Sequence, residues 1–216
     1  MLVLRRPLRL LLLVAGLALA ATGPGRAAGS DASAFINGLV TQALQALANK
    51  QLANDDRTRE FRDLLDHDFD MPRIARFVLG RYWNEASEQE RQRFQRLFED
   101  YVVRAYAQRF SEYSGQTVKI TGERAESDTS AVVQSQIVQP NGAPPAKVDW
   151  RVHKDGGTYK IVDVDVEGVS MVLTQREEFS SVIQRSGGLS GLNKELEQKL
   201  ASGDASLAAP AGTKKE

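Results

Sequence analysis

The stretch Val148-Asp149-Trp150-Arg151-Val152-His153-Lys154-Asp155-Gly156-Gly157-Thr158-Tyr159-Lys160-Ile161-Val162-Asp163-Val164-Asp165-Val166 decides the fold. Val148, Trp150 and Val152 alternate with Asp149, Arg151 and His153, the period-two pattern of a strand. Asp155-Gly156-Gly157 is a tight hairpin signal joining that strand to a second one, Tyr159–Val166. Working upstream, Ala131 to Gln139 reads as another strand, apolar on both faces through Val133 and Ile137 against Val132 and Val138. Val118 and Ile120 alternate with Lys119 and Thr121 in a fourth. Hairpin-scale links, including Pro140-Asn141-Gly142-Ala143-Pro144-Pro145, predict an antiparallel meander of four or slightly more strands.

Outside this block the period changes from two to three and four. Phe35, Ile36, Leu39, Val40, Ala43, Leu44 and Leu47 form the stripe of an amphipathic helix. A second helix carries Phe61, Leu64 and Leu65, with Asn54 as its expected cap. Asp70, with Pro72 just inside, opens a third that holds Ile74, Phe77 and Val78 and ends at Gly80. Ser87-Glu88-Gln89-Glu90 is a capping box, and the apolar stripe behind it predicts a helix from Ser87 to Tyr113. Such a helix would be roughly 40 Å long at ~1.5 Å per residue. Downstream, Val169, Val172, Phe179, Val182 and Ile183 predict another helix, and Leu189, Leu192, Leu196 and Leu200 a last one. Helices, then sheet, then helices make an α+β fold.

Both ends read differently. Residues 1–27 contain no acid; Arg5, Arg6 and Arg9 precede the apolar run Leu10 to Leu19, and small residues follow. That is the layout of a secretory signal peptide, and the run is shorter than the ~20 residues a bilayer core requires. Cleavage after Ala27 would remove four arginines and no acid, leaving a mildly acidic exported protein. Residues 201–216 are mostly small and polar and read as a flexible tail.

The 216 residues carry 28 Lys and Arg against 28 Asp and Glu, so a general nucleic-acid binder, which needs a basic excess, is disfavoured. The absence of cysteine excludes disulfides, thiolate nucleophiles and cysteine-ligated metals. Two histidines, His67 and His153, leave metal sites and histidine-based triads poorly supplied, and no metal or cofactor is expected. Ser170 lies in Gly168-Val169-Ser170-Met171-Val172, which lacks the second glycine of a nucleophile elbow; a helix cap is the better reading. Asp163, Asp165 and Glu167 share a strand face at period two and could hold a hard cation or act as acid and base. More often such a row is solvated or pairs with arginines. What remains is apolar surface on too many sides, which fits either a thick core or a sheet and helices around an apolar ligand.

Several stretches together follow one pattern: Val78-Leu79-Gly80-Arg81-Tyr82-Trp83, Phe94 with Phe98, Tyr106-Ala107, and Tyr113-Ser114-Gly115-Gln116-Thr117. The Pro140–Pro145 link, Asp163-Val164-Asp165-Val166-Glu167-Gly168-Val169-Ser170-Met171, and Arg176 with Phe179 continue it in order. The chain resembles the MlaC family of periplasmic phospholipid-binding proteins, also called toluene-tolerance auxiliary transport proteins; the related hopanoid-associated HpnM subgroup shares these features. The resemblance runs from about Phe35 to Leu200 and makes residues 31–200 one lipid-binding domain. It implies a twisted sheet wrapped by helices with acyl chains inside, which favours the cavity over the thick core. It also implies a periplasmic phospholipid shuttle, not an enzyme. The shuttle would serve an inner-membrane MCE-domain protein of an ABC transporter and a lipoprotein–porin complex in the outer membrane, maintaining outer-membrane lipid asymmetry. From periodicity, the lipid-lining residues are expected to be Phe94, Phe98, Tyr101, Val102, Val133, Ile137, Val148, Trp150, Val164, Val169 and Met171. The rival from another class is an enzyme on a similar sheet that uses Asp163 or Asp165 as base.

Overall fold

In the computed structural model, the hairpin at Gly156-Gly157 joins β3 (Ala146–Asp155) to β4 (Thr158–Val166) at the middle of a five-stranded sheet. Both glycines have positive φ, 54° and 95°, as a two-residue turn that follows the strand twist requires. The structure describes residues 29–49, 53–107 and 112–203, so the expected signal peptide and most of the expected tail lie outside the described residues. β1 (Thr117–Ala125) and β2 (Ser130–Val138) precede the hairpin, and every neighbouring pair is antiparallel in the order β1-β2-β3-β4-β5. The meander and the α+β class are therefore as the sequence predicts.

The fifth strand is short. β5 (Val169–Ser170) folds back on the end of β4 through Glu167-Gly168, whose φ values of 54° and 83° make a second tight turn. Val169, expected within a helix, belongs to this strand.

The helices are α1 (Gly29–Ala48), α2 (Asn54–Asp68), α3 (Met71–Leu79), the one-turn α4 (Tyr82–Glu85), α5 (Glu88–Ala107), α6 (Met171–Ser186) and α7 (Leu189–Ser202). Three termini follow the predicted chemistry. Asp70 accepts from Arg73 N at 3.1 Å to cap α3. Ser87 and Glu90 make the reciprocal capping box, Ser87 N donating to Glu90 Oε2 at 2.9 Å and Glu90 N to Ser87 Oγ at 3.3 Å. Ser170 caps α6 by accepting from Leu173 N at 3.1 Å.

Two expectations change. Ala53, not Asn54, occupies the cap position of α2. α5 is described to Ala107; Arg109 and Phe110 lie outside the described residues, and Tyr113 is not helical. By then the chain has entered the turn at Ser114 and Gly115, where Gly115 has a φ of 103° and Gln116 accepts from Ser114 N.

Two apolar clusters hold the layers. One packs α1 through Ile36, Leu39 and Val40 on the sheet face formed by Ala131, Val133, Val152, Tyr159 and Ile161. The other packs α3, α5, α6 and α7 around Phe179, which meets Phe94 and Phe98 edge-on at 5.7 and 5.8 Å between ring centroids. Phe69 borders both, and the link is fixed there: Asp70 N donates to Ile161 O at 2.9 Å. Helices α2 and α5 are also clamped by Arg62, which donates to Glu99 and Asp100 at 2.7 Å each.

Candidate lipid cavity

Between the two clusters lies a cavity of about 340 Å³, within the ~300–1,000 Å³ span of small-molecule sites. The sheet supplies Ile137, Val148, Trp150, Val164 and Val166. These residues come from three adjacent strands and share one face through the pairings Ser135↔Val148, Trp150↔Val164 and Val148↔Val166. Helix α1 adds Leu39, Val40 and Ala43, and α2 adds Phe61, Leu64 and Leu65. Met71, Ile74 and Val78 come from α3, Phe98, Val102 and Tyr106 from α5, and Met171, Val172 and Gln175 from α6, with Phe69 at the α2–α3 junction.

The lining is apolar apart from a few groups, and the side chains of those are mostly engaged. Asp163 accepts from Ser170 Oγ at 2.6 Å and from Val172 N at 3.2 Å, so its carboxylate ties β4 to the start of α6. The Trp150 indole donates to Ser135 Oγ at 2.9 Å, and that hydroxyl donates to Val148 O at 2.9 Å. Ser135 is buried, and this chain of bonds answers the desolvation cost of both polar groups. Beside Gln175, which donates to Glu178 at 3.4 Å, burial raises the Glu178 carboxyl above the usual carboxylate range.

Seven of the residues expected from periodicity come together on this cavity: Phe98, Val102, Ile137, Val148, Trp150, Val164 and Met171. The other four sit elsewhere. Phe94 and Tyr101 are buried in the helical cluster against Phe179, Val133 is buried between the sheet and α1, and Val169 is exposed on β5. The contributions of α1, α2 and α3 are absent from the expected set, although their stripes are plain in the sequence. Periodicity marks an apolar face, but it does not say whether that face meets a neighbour or a space.

The acidic row does not converge. Asp163 is bonded as above, Asp165 lies opposite Asp149 on β3, and Glu167 accepts from Lys147 N at 2.5 Å. Among the described residues no group of three His, Cys, Asp or Glu side chains is placed to hold a metal ion. Nor is any helix among them long and apolar enough to cross a membrane.

Known proteins align with this architecture. The family model described as "MlaC protein" matches residues 37–198. The intermembrane phospholipid transport system binding protein MlaC of Haemophilus influenzae is 28% identical over 141 residues, covering 64% of this chain and 65% of that protein. Toluene tolerance protein ttg2D of Pseudomonas putida is 27% identical over 107 residues, 50% of this chain and 49% of that protein. The matches thus span less than two thirds of either relative. A solved phospholipid-binding protein from Ralstonia solanacearum, in complex with a phospholipid, superposes with a TM-score of 0.70 at 28% identity, over 80% of this chain and 98% of that one. With the family pattern running from α1 into α7 and the fold shared with a lipid-bound structure, the chain belongs to the MlaC family.

Proposed function

We propose that this protein is a periplasmic phospholipid carrier that holds acyl chains in the cavity between sheet and helices. The observation that carries the reading is the apolar cavity itself, walled by the sheet and five helices, in a fold similar to that of a phospholipid-bound protein. The name of the Haemophilus influenzae relative and the phospholipid held by the Ralstonia solanacearum structure support phospholipid as the cargo over a hopanoid.

The physical task is clear. Two acyl chains of about sixteen carbons hold roughly 30 methylenes, or ~24 kcal/mol of gross burial at ~0.8 kcal/mol each. Desorption into water is therefore prohibitively slow, whereas moving a chain from a bilayer into a dry pocket is close to neutral. No bond is made or broken. A passive pocket cannot bias its own exchange, so direction comes from partners. The proposed partners are an MCE-domain protein of an inner-membrane ABC transporter and an outer-membrane lipoprotein–porin complex. The exported form begins near Ala21 or Ala28, after the signal segment, and its lipid-binding domain spans 31–200.

The enzyme reading has less support, because both Asp163 oxygens already accept hydrogen bonds from Ser170 and Val172. The test is transfer: labelled phospholipid in donor vesicles should reach acceptor vesicles faster in the presence of the purified protein. Phospholipid released with altered mass would instead revive catalysis, and no acceleration would count against carriage.

A further inference from the structure

We propose that the outer face of α3 and the start of α6 is a docking surface for an anionic lipid bilayer. From Met71 to Asn84 the sequence has no acid and carries Arg73, Arg76 and Arg81. Packed beside them, Arg176 of α6 lies 5.1 Å from the centre of the Phe77 ring and closes over Gly80. Gly80 is needed for that approach: a Cβ there would come within 2.8 Å of the guanidinium, at a φ of 53° that already disfavours side chains. Arg73, Arg76 and Arg176 make no ion pair among the described residues. Arginines on other faces do meet acids: Arg59 with Asp56, Arg62 with Glu99 and Asp100, Arg93 with Glu197, Arg151 with Glu126. Positive charge is therefore left without an ion-pair partner on this face, although the exported protein is mildly acidic as a whole.

Three features choose a bilayer as occupant. First, Phe77 is 40% exposed and Leu173, one turn before Arg176, is 50% exposed, so apolar side chains stand among the cations. Arginine interleaved with exposed aromatic and aliphatic residues is the signature of interfacial binding to anionic lipid. Second, Arg73, Arg76, Phe77 and Arg176 line a depression of about 760 Å³, and planar guanidinium forks suit a phosphate there. Third, the opposite faces of the same two helices are cavity wall, through Met71, Ile74 and Val78 on α3 and Met171 and Val172 on α6. Docking on this face brings the cavity wall against the membrane. The proposal rests on the carrier reading only for that last point.

The experiment is flotation of the purified protein, at low and high salt, with vesicles of phosphatidylcholine alone or mixed with phosphatidylglycerol. The expected result is binding to the anionic vesicles only, weakened by salt. R73Q/R76Q, at two exposed positions, should lose on the order of 30-fold in affinity, from about fivefold per arginine near an anionic surface. F77S should weaken binding further at high salt, where charge is screened, and R59Q on α2 should leave it unchanged. Bound phospholipid is measured on the same samples, so a failure of carriage is distinguishable from a failure of docking. Absence of wild-type flotation, or equal flotation by R73Q/R76Q, would overturn the proposal. Lost transfer in R73Q/R76Q only when membranes contain an acidic protein would assign the face to that protein and overturn it as well.

Discussion

Asp163 shows how one side chain changes role between sequence and structure. Read along the strand it is one of three acids in a row; in the fold it is the latch between β4 and the cap of α6. Ser170 serves both ends of this latch, donating to Asp163 and accepting from Leu173 N. Ser170→Ala should therefore cost about 0.5–2 kcal/mol, the usual range for a lost cap, with bound lipid retained. Thermal melting and lipid content of the variant check this, and loss of lipid from a well-folded variant would give the latch a direct role in binding. Glu178 supplies a second prediction at this scale. Because burial raises its folded-state pKa, the native state holds its proton more tightly than the unfolded chain. Its contribution should favour folding below the unfolded carboxylate range and fade as pH rises through the folded value. Glu178→Gln should raise Tm at neutral pH and flatten that part of the stability–pH curve.

Among the elements, what was legible in the sequence is what local chemistry writes. The Gly156-Gly157 hairpin, the Ser87–Glu90 capping box and the Asp70 and Ser170 caps each follow from a few adjacent residues. β5 was not legible, because two residues make too short a run to show alternation, and only the positive φ of Glu167 and Gly168 betrays the turn. The cavity lining was legible in part for a different reason. Val133 and Ile137 share one face of β2, yet Val133 is fully buried in the filled core that α1 packs on, while Ile137 borders space. Which of two residues on one strand face meets a neighbour and which meets space depends on how the helices cover the sheet, and no strand pattern encodes that. The two positions should accordingly respond in opposite ways to tryptophan. Val133→Trp overpacks and should lower stability by roughly 1–3 kcal/mol or more. Ile137→Trp should keep its melting temperature, measured on delipidated protein, and lose bound lipid. Equal behaviour of the two variants would contradict the placement of the cavity wall.

For the molecule as a whole, the two clusters divide the labour. The helical cluster around Phe179 and the α1–sheet cluster are each packed, and the space between them is what the layers leave open. A ligand that fills this space binds the native state alone, so removing it should lower the apparent Tm, by more the tighter the ligand is bound and the higher its free concentration had been. The most direct measurement is native mass spectrometry of the purified exported protein, followed by solvent extraction of whatever it carries. The expected result is a discrete mass addition identified as phospholipid in the wild type, absent from Ile137→Trp and present in Arg59→Gln. A wild-type protein produced in a lipid-replete cell that carries no lipid, and takes up none from vesicles, would contradict it.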